Sequence, residues 1–302
     1  MGKISKLLSN PREIYCWATY KGLTKWVKDE THLKLMYRAL MHKSLDLEKP
    51  KTYNEKLQWL KLNDHRDIYT IMVDKYRSKE WAEGIIGRDY IVQTLCHWSS
   101  LEDIDLRGLP ERFVLKTNHD NGGVIVCTDR AKFDLELAKK KLGRHLSRDF
   151  YYIGREWPYK HVQRVVFAEE YLEPLDGDCD LADYKVVCIG GCPIMIQVHR
   201  GRFGYHTQDF YSTDWKRLEI SQGDPVSESV ELPPRHLDAM LNLSSKLSEG
   251  VPELRVDWFE TANGLKLGEV TFFDGSGFYP FEPESVDDKL GELLTLPPSG
   301  AL

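Results

Sequence analysis

The 302-residue chain lacks several features that would settle its class quickly. No apolar run approaches 18 residues, which excludes a membrane-spanning helix. The first residues hold no apolar core of the secretory kind, so no export signal is expected. Lys6 stands where N-myristoylation after Met1-Gly2 requires Ser or Thr. Cysteine is scarce, with six residues and no CxxC pair; the closest two, Cys188 and Cys192, flank Gly190-Gly191. That spacing excludes a zinc site or disulfide framework and points to reduced thiols in a cytoplasmic protein. No internal repeat is visible.

Charge is plentiful but divided. With 41 basic and 47 acidic residues the formal charge is −6, which makes a poor nonspecific binder of nucleic acid. Residues 161–302 carry 11 basic and 25 acidic side chains, so residues 1–160 carry 30 and 22. A basic half joined to an acidic half suggests two lobes, one suited to an anion and the other to a cation. At 41% hydrophobic the chain can bury a sizeable core, as one large domain or two smaller ones.

Periodicity places helices first and strands later. Residues 1–48 read as helical, with Leu7, Leu8, Ile14, Trp17 and Leu23 among Lys3, Lys6, Arg12, Lys21, Lys25 and Lys28. This is either an ordinary docked helix pair or a basic amphipathic surface for anionic lipid at the inner face of a membrane. Tyr53–Leu62 reads as a second helical stretch, and 67–83 as a third, entered through Asp67. Strands are expected at Arg112–Thr117, Val124–Thr128, Arg164–Tyr171, Tyr184–Ile189 and Ile194–Val198. A charged helix spans roughly Asp134–Ser147, and another lies within Pro233–Gly250. Leu254–Glu260 and Leu265–Phe273 form a last hairpin over Asn263-Gly264. Helices mixed with antiparallel hairpins indicate α+β.

Two of these elements carry chemistry. Phe113–Val126 is a strand, a glycine loop and a strand, with Lys116 at the end of the incoming strand. Gly122-Gly123 lets backbone N–H groups approach an anion, and the lysine adds a point charge for a phosphate oxygen. The loop is neither a Walker A loop nor GxGxxG, and an ordinary hairpin turn has the same glycines. In the last hairpin, Arg255 and Asp257 share one face of their strand, and Glu269 and Thr271 one face of theirs. A two-residue Asn263-Gly264 loop would send Asp257 and Glu269 to opposite sides. A three-residue loop, Ala262-Asn263-Gly264, would oppose them directly, and a hard cation such as Mg²⁺ is a reason to tolerate that repulsion.

Several stretches together resemble the ATP-grasp superfamily: KTYNEKLQWLKLND, DKYR, LPERFVLKTNHDNGG, GREWPYK, FAEEYLE, ADYKVVCIGG, RVDWFE and GEVTFFDGSGFYPFEP, from about residue 50 to 290. The likeness is closest to its TupA-like branch, of teichuronic acid and capsular polysaccharide biosynthesis. It implies an α+β fold of two lobes gripping ATP. The lobes would be 75–160 with the phosphate flap and 161–302 with the adenine hinge and metal site, after a helical region 1–74. By resemblance, Lys116 and Lys185 are the phosphate lysines, Asn118, His119, Gly122 and Gly123 lie in a mobile flap, and Lys75 begins the grasp domain. Glu169, Glu170, Tyr171 and Leu172 resemble the hinge that reads adenine. Arg255 resembles the arginine that steadies the transferred phosphoryl group, and Asp257 and Glu269 the Mg²⁺ carboxylates. Where the superfamily often has Glu-x-Asn, this chain has Glu269-Val270-Thr271, so the third ligand is Thr271, a water or Asp274. His119 is otherwise a surface-loop histidine. Two sets stand as acceptor contacts: Arg155, Tyr159 and Lys160, otherwise an inter-lobe linker, and Arg202 and His206; Gly277, in the matching C-terminal stretch, is a further expected substrate contact.

The implied activity is ligation of a carboxylate to an amine through an acyl-phosphate, releasing ADP and phosphate. In a polysaccharide setting the carboxylate would be a sugar acid such as a hexuronic acid, free, nucleotide-linked or in a glycan. The other readings are a glycosyltransferase, which predicts nucleotide-sugar binding without ATP hydrolysis, and a non-catalytic ATP-binding scaffold.

Overall fold

The computed structural model describes residues 11–175, 181–201 and 204–298. Helices α1 (Pro11–Tyr20) and α2 (Asp29–Leu40) lead into α3 (Tyr53–Asn63). A capping box opens α3: Thr52 Oγ1 accepts from Glu55 N–H, and the Glu55 carboxylate accepts from Thr52 N–H. The expected helix 67–83 is instead two, α4 (Ile68–Val73) and α5 (Ser78–Ile86). The break is chemical: Asp74 Oδ1 accepts the N–H groups of Tyr76 at 3.0 Å and Arg77 at 3.1 Å, turning the chain before α5 starts. Lys75 therefore lies in the break and not on a helix. Asp67 makes no side-chain cap.

Strands β1 (Thr94–Trp98), β2 (Phe113–Thr117), β3 (Val124–Cys127) and β4 (Val166–Glu170) form one antiparallel sheet in the order β1-β4-β2-β3. Helix α6 (Leu135–Leu146), capped by Asp134, covers it, and its core includes Phe113, Leu115, Leu142 and Val166. The second sheet runs β10-β9-β5-β6-β7-β8. Its strands are β5 (Asp183–Ile189), β6 (Cys192–Arg200), β7 (Thr207–Ser212), β8 (Arg217–Leu218), β9 (Glu253–Thr261) and β10 (Gly264–Thr271). The short α7 (Tyr151–Gly154) precedes β4, and α8 (Leu237–Leu247) and α9 (Ser285–Leu293) complete the described α-helices. Among the described residues the largest core joins Leu57 and Tyr69 to Val186, Ile196, Met240, Val256 and Trp258. Because β4 belongs to the four-stranded sheet, a lobe boundary at 160/161 would cut through it; the sheets change between Glu170 and Asp183.

The last hairpin turns differently from either expected loop. Gly264 pairs with Thr261, leaving Ala262-Asn263 as the turn. The register then shifts between Leu267 and Glu269, with Gly268 as the extra residue. The bulge, and not a three-residue loop, brings Glu269 opposite Asp257 and Thr271 opposite Arg255. A Cβ on Gly268 would lie 2.8 Å from the Phe259 ring and 3.2 Å from the Asp257 carbonyl oxygen. Gly268→Ala should therefore cost about 1–2 kcal/mol through overpacking, read as a lower urea midpoint at unchanged slope.

The N-terminal helices dock through a neutral histidine. His32 is fully buried; its Nδ1 accepts the Tyr15 hydroxyl at 3.0 Å, and its Nε2–H donates to the Ile153 carbonyl at 3.0 Å. Burial pushes its pKa down to about 4. A base depressed in the folded state contributes stability at neutral pH that is lost as pH falls from about 6.5 through 4, a loss of order 3 kcal/mol. His32→Gln should flatten this acid limb in unfolding curves collected across that range.

Candidate active site

Strand pairing assembles one end of the site. Lys185, Asp257 and Glu269 are direct neighbours across β5, β9 and β10, so their side chains share a face. Opposed carboxylates repel, and cations answer them. Arg255 Nε and an Nη atom grip Asp257 at 2.7 and 2.8 Å, and Lys185 hydrogen-bonds the same carboxylate. Lys185 also meets Asp183 at 2.9 Å. Burial pushes the Asp257 carboxyl up, yet Arg255 and Lys185 outweigh it and hold the group below its ordinary range. Glu269 is likewise lowered: Lys75, with Lys185 and Arg255, prevails over burial and Asp257. The guanidinium of Arg255 is raised, because Asp257 and Asp274 outweigh its burial. Thr271 Oγ1 lies 3.3 Å from Arg255 and 3.4 Å from Glu269.

Arg255 also holds Asp274 at 2.7 Å, and Gln197 donates to the other oxygen of Asp274 at 2.6 Å. Asp274 sits in a left-handed turn: φ is +58° at Phe273, +57° at Gly275, +56° at Ser276 and +59° at Gly277. For Phe273 and Ser276 this conformation is costly, by about 1–3 kcal/mol each. The surroundings impose it. Glu253 accepts the N–H groups of Phe273 at 2.7 Å and Asp274 at 3.4 Å. From α3, Gln58 donates to the carbonyls of Ser276 and Gly277 at 3.1 and 2.9 Å, and the buried Lys61 to Ser276 at 2.8 Å. A Cβ on Gly277 would meet Gln58 at 2.4 Å, so Gly277 is placed by packing against α3.

The other end belongs to the four-stranded sheet. Glu169 is buried between two ammonium groups, Lys116 at 2.5 Å and Lys79 at 2.6 Å. Burial raises its carboxyl, but both lysines together lower it below the usual value. The carboxylate expected to face an adenine edge is thus clamped by lysines. Glu170 accepts from Gln93 N–H at 2.8 Å, Tyr171 lies under the Arg112 guanidinium at 4.9 Å, and Leu172 is partly buried. Lys75 joins the two ends, reaching Glu269 at 3.0 Å and the Asp120 carbonyl at 2.5 Å.

The expected mobile flap is tied down. Asn118, His119 and Asp120 are buried. Asn118 accepts from Val165 N–H at 2.9 Å and donates to Gln163 at 2.7 Å. Asp120 meets Thr117 and His145, each at 2.5 Å. His119 is no surface-loop residue: its Nε2 donates to the Arg148 carbonyl at 3.2 Å, and burial lowers its pKa. Gly122 takes φ +85°, and a Cβ on Gly123 would overlap Thr117 at 1.8 Å.

The acceptor sets divide. Arg155 is buried and turned away, donating to the carbonyls of Thr24 and Val27, so it anchors the N-terminal helices instead of lining the site. Lys160 is exposed over the Tyr151 ring. Tyr159 is near the site; burial, Glu156 and Glu269 push its phenol up. His206 stacks on His199, whose Nδ1 is 3.1 Å from its Nε2, at the β6–β7 end of the same sheet. Arg202 lies outside the described residues. Sequence reasoning passed over Lys79, Asp183 and Gln197. Period two did offer Asp183, which stands two residues before Lys185, and Lys79 stands four residues beyond Lys75, within the helix expected over 67–83.

Residues 55–295 match the family described as TupA-like ATPgrasp. The chain belongs to that family. No curated protein matches this TupA-like ATP-grasp chain. Among solved structures it is similar to D-alanine–D-alanine ligase from Bacillus anthracis complexed with ATP, at 16% identity over 74% of this chain and 65% of that one, TM-score 0.43. The ATP-grasp ligase PsnB complexed with minimal precursor is similar at 12% identity over 91% and 75%, TM-score 0.43. A RimK domain ATP-grasp protein from Sphaerobacter thermophilus follows at 13% over 75% and 69%, TM-score 0.40. The TupA-like chain spans 57–65% of the length of three D-alanine–D-alanine ligase chains among those it matches.

Among the described residues no group of three or more His, Cys, Asp or Glu converges as a metal cage. Asp257 and Glu269 with the Thr271 hydroxyl make instead a small set of hard oxygens on one face, held here by Arg255, Lys185 and Lys75. Once those side chains shift, the set would suit a cation that takes its remaining ligands from phosphate and water. That is the habit of Mg²⁺. In this ATP-grasp chain Glu169→Gln leaves Lys79 and Lys116 facing each other without a counter-charge. It should cost about 3–5 kcal/mol, and inorganic triphosphate should raise the unfolding temperature of the variant more than that of the unaltered protein.

Proposed function

We propose that MgATP binds between the two sheets and that the protein is an ATP-dependent carboxylate–amine ligase. The observation that carries this reading is the convergence of Lys75, Lys79, Lys116, Lys185 and Arg255 on Glu169, Asp257 and Glu269, with Lys75 touching both halves. In this reading Lys116 and Lys79 leave Glu169 for phosphate oxygens, and the triphosphate replaces the carboxylate as their counter-charge. Asn118, His119, Gly122 and Gly123 form the phosphate loop, and Glu170, Tyr171 and Leu172 line the adenine side. Asp257 and Glu269, with Thr271 or a water, would hold Mg²⁺, which when bound spreads the charge of the β- and γ-phosphates.

The substrate carboxylate attacks the γ-phosphorus, ADP leaves, and an acyl-phosphate forms. Arg255 and Lys185, preset by Asp274 and Asp183, stabilise the charge on the transferred group. The amine lone pair then attacks the acyl carbon, phosphate departs, and the nitrogen loses a proton to give the amide. Tyr159, His206 and the backbone at Gly277 border the acceptor space. The substrate class we assign is a sugar acid such as a hexuronic acid, with an amino acid or small amino alcohol as amine, in surface-polysaccharide synthesis. Among the described residues no helix is long and apolar enough to cross a membrane.

ADP release with MgATP, uronic acids and a panel of amines tests the reading. Release should need both substrates and fall at least 100-fold in Lys116→Ala and in Glu269→Gln, about 3 kcal/mol of transition-state stabilisation. Absence of ATP binding by the unaltered protein would overturn it.

A further inference from the structure

The N-terminal helices carry a surface that the site does not use. Within ten residues Trp17, Tyr20, Leu23 and Trp26 expose 46%, 66%, 57% and 85% of their surface. Trp17, Tyr20 and Lys21 follow one helical stripe at i, i+3 and i+4. The opposite side of α1 is the docked one: Thr19 is buried and bonds Thr24, and Tyr15 holds His32. Trp26 donates its indole N–H to the Leu23 backbone carbonyl at 3.0 Å, which fixes the ring against the turn after α1. Ile14, expected on the apolar stripe, is half-buried, and Leu7 and Leu8 lie outside the described residues.

Charge selects the occupant. Residues 1–28 hold six basic side chains and one acidic, Glu13, in a chain whose net charge is −6. Lys21, Lys25 and Lys28 are exposed among the aromatics, and Lys25 also pairs with Asp149. A symmetric dimer through this face would bring the same basic surface against itself. Tryptophan and tyrosine beside lysine suit the boundary between anionic headgroups and acyl chains, where an amphipathic ring has one wet and one apolar side.

We propose that residues 17–28 dock this protein on an anionic phospholipid surface. Trp17, Tyr20, Leu23 and Trp26 enter the headgroup boundary, and Lys21 and Lys28 meet lipid phosphates. Lys25, in the same segment, pairs with Asp149, and the adjacent Arg148 touches Asp120 in the glycine loop, so docking brings the rim of the site toward the lipid. The inference does not depend on which substrates are joined.

The full chain is sedimented with vesicles of phosphatidylcholine alone and of phosphatidylcholine mixed with phosphatidylglycerol. Binding to the mixed vesicles only, weakened by added salt, is expected. Leu23→Ser with Trp26→Ser, and separately Lys21→Glu with Lys28→Glu, should each reduce it at least tenfold, with the unfolding midpoint unchanged. The second pair leaves the aromatics in place, so a folding defect in the first cannot decide the matter. Equal binding to both vesicle types, no binding to either, or full binding by the charge-reversed variant would overturn the proposal. So would self-association of the unaltered protein that the Leu23→Ser, Trp26→Ser variant abolishes, which would make the face an interface between copies.

Discussion

Two carboxylates held side by side on adjacent strands set the terms for the rest of this molecule. Asp257 and Glu269 occupy opposed positions, where like charges are destabilising unless something answers them. Arg255, Lys185 and Lys75 answer them, and each is fixed by further contacts. Arg255 needs Asp274, Asp274 needs Gln197 and a left-handed turn, and the turn needs Glu253 from β9 with Gln58 and Lys61 from α3. The helical segment before the sheets is therefore part of the site's support. Its sequence YNEKLQWLKLN reaches the chemistry through Gln58 and Lys61, well before the first strand of either sheet begins at Thr94.

The other half of the site solves the inverse problem. There a single buried carboxylate, Glu169, keeps two ammonium groups in place at the foot of the four-stranded sheet. A buried charge is costly alone and tolerable when matched. In one half cations compensate carboxylates, and in the other a carboxylate compensates cations. Lys75 spans the two because Asp74 breaks the helix just before it and lets the chain turn. A polyanion with a divalent cation would exchange partners at both ends while leaving the charge of the whole nearly balanced.

Much of the fold was legible. The helix at Tyr53–Leu62, the charged helix near Asp134–Ser147, the Gly190-Gly191 hairpin and the helix within 233–250 carry strong local signals, and all are present. Strand β1, with a bulge and two exposed residues, has little alternation to read. Strand β7 lies in the stretch after Val198 that reads as loop, and becomes a strand by adding to the β6 edge, with β8 adding to β7 in turn. Arg155 looked like a substrate contact because arginine in a loop with Trp, Tyr and Lys suggests anion recognition. Its left-handed backbone, φ +54°, sends it instead beneath the N-terminal helices. Glu169 looked like a hinge residue, and the lysines that hold it come from α5 and β2, distant in sequence.

The division of labour follows from range. The sequence alone determined the α+β class, the face shared by Arg255 and Asp257, the glycine loop after Lys116, and the basic aromatic character of the first 28 residues. Each depends on backbone period, local capping or composition, which neighbouring residues decide among themselves. Only the tertiary structure decided that Gly268 supplies the bulge that opposes Asp257 to Glu269, that Lys79 shares Glu169 with Lys116, and that the polar residues of the Asn118–Asp120 loop face inward. Those outcomes turn on register and burial, which are set by what packs across the sheet and not by any window of the chain. The charge division between the halves is resolved in the same way: net charge is additive along a sequence, whereas the site draws its cations from both halves and its carboxylates from two sheets.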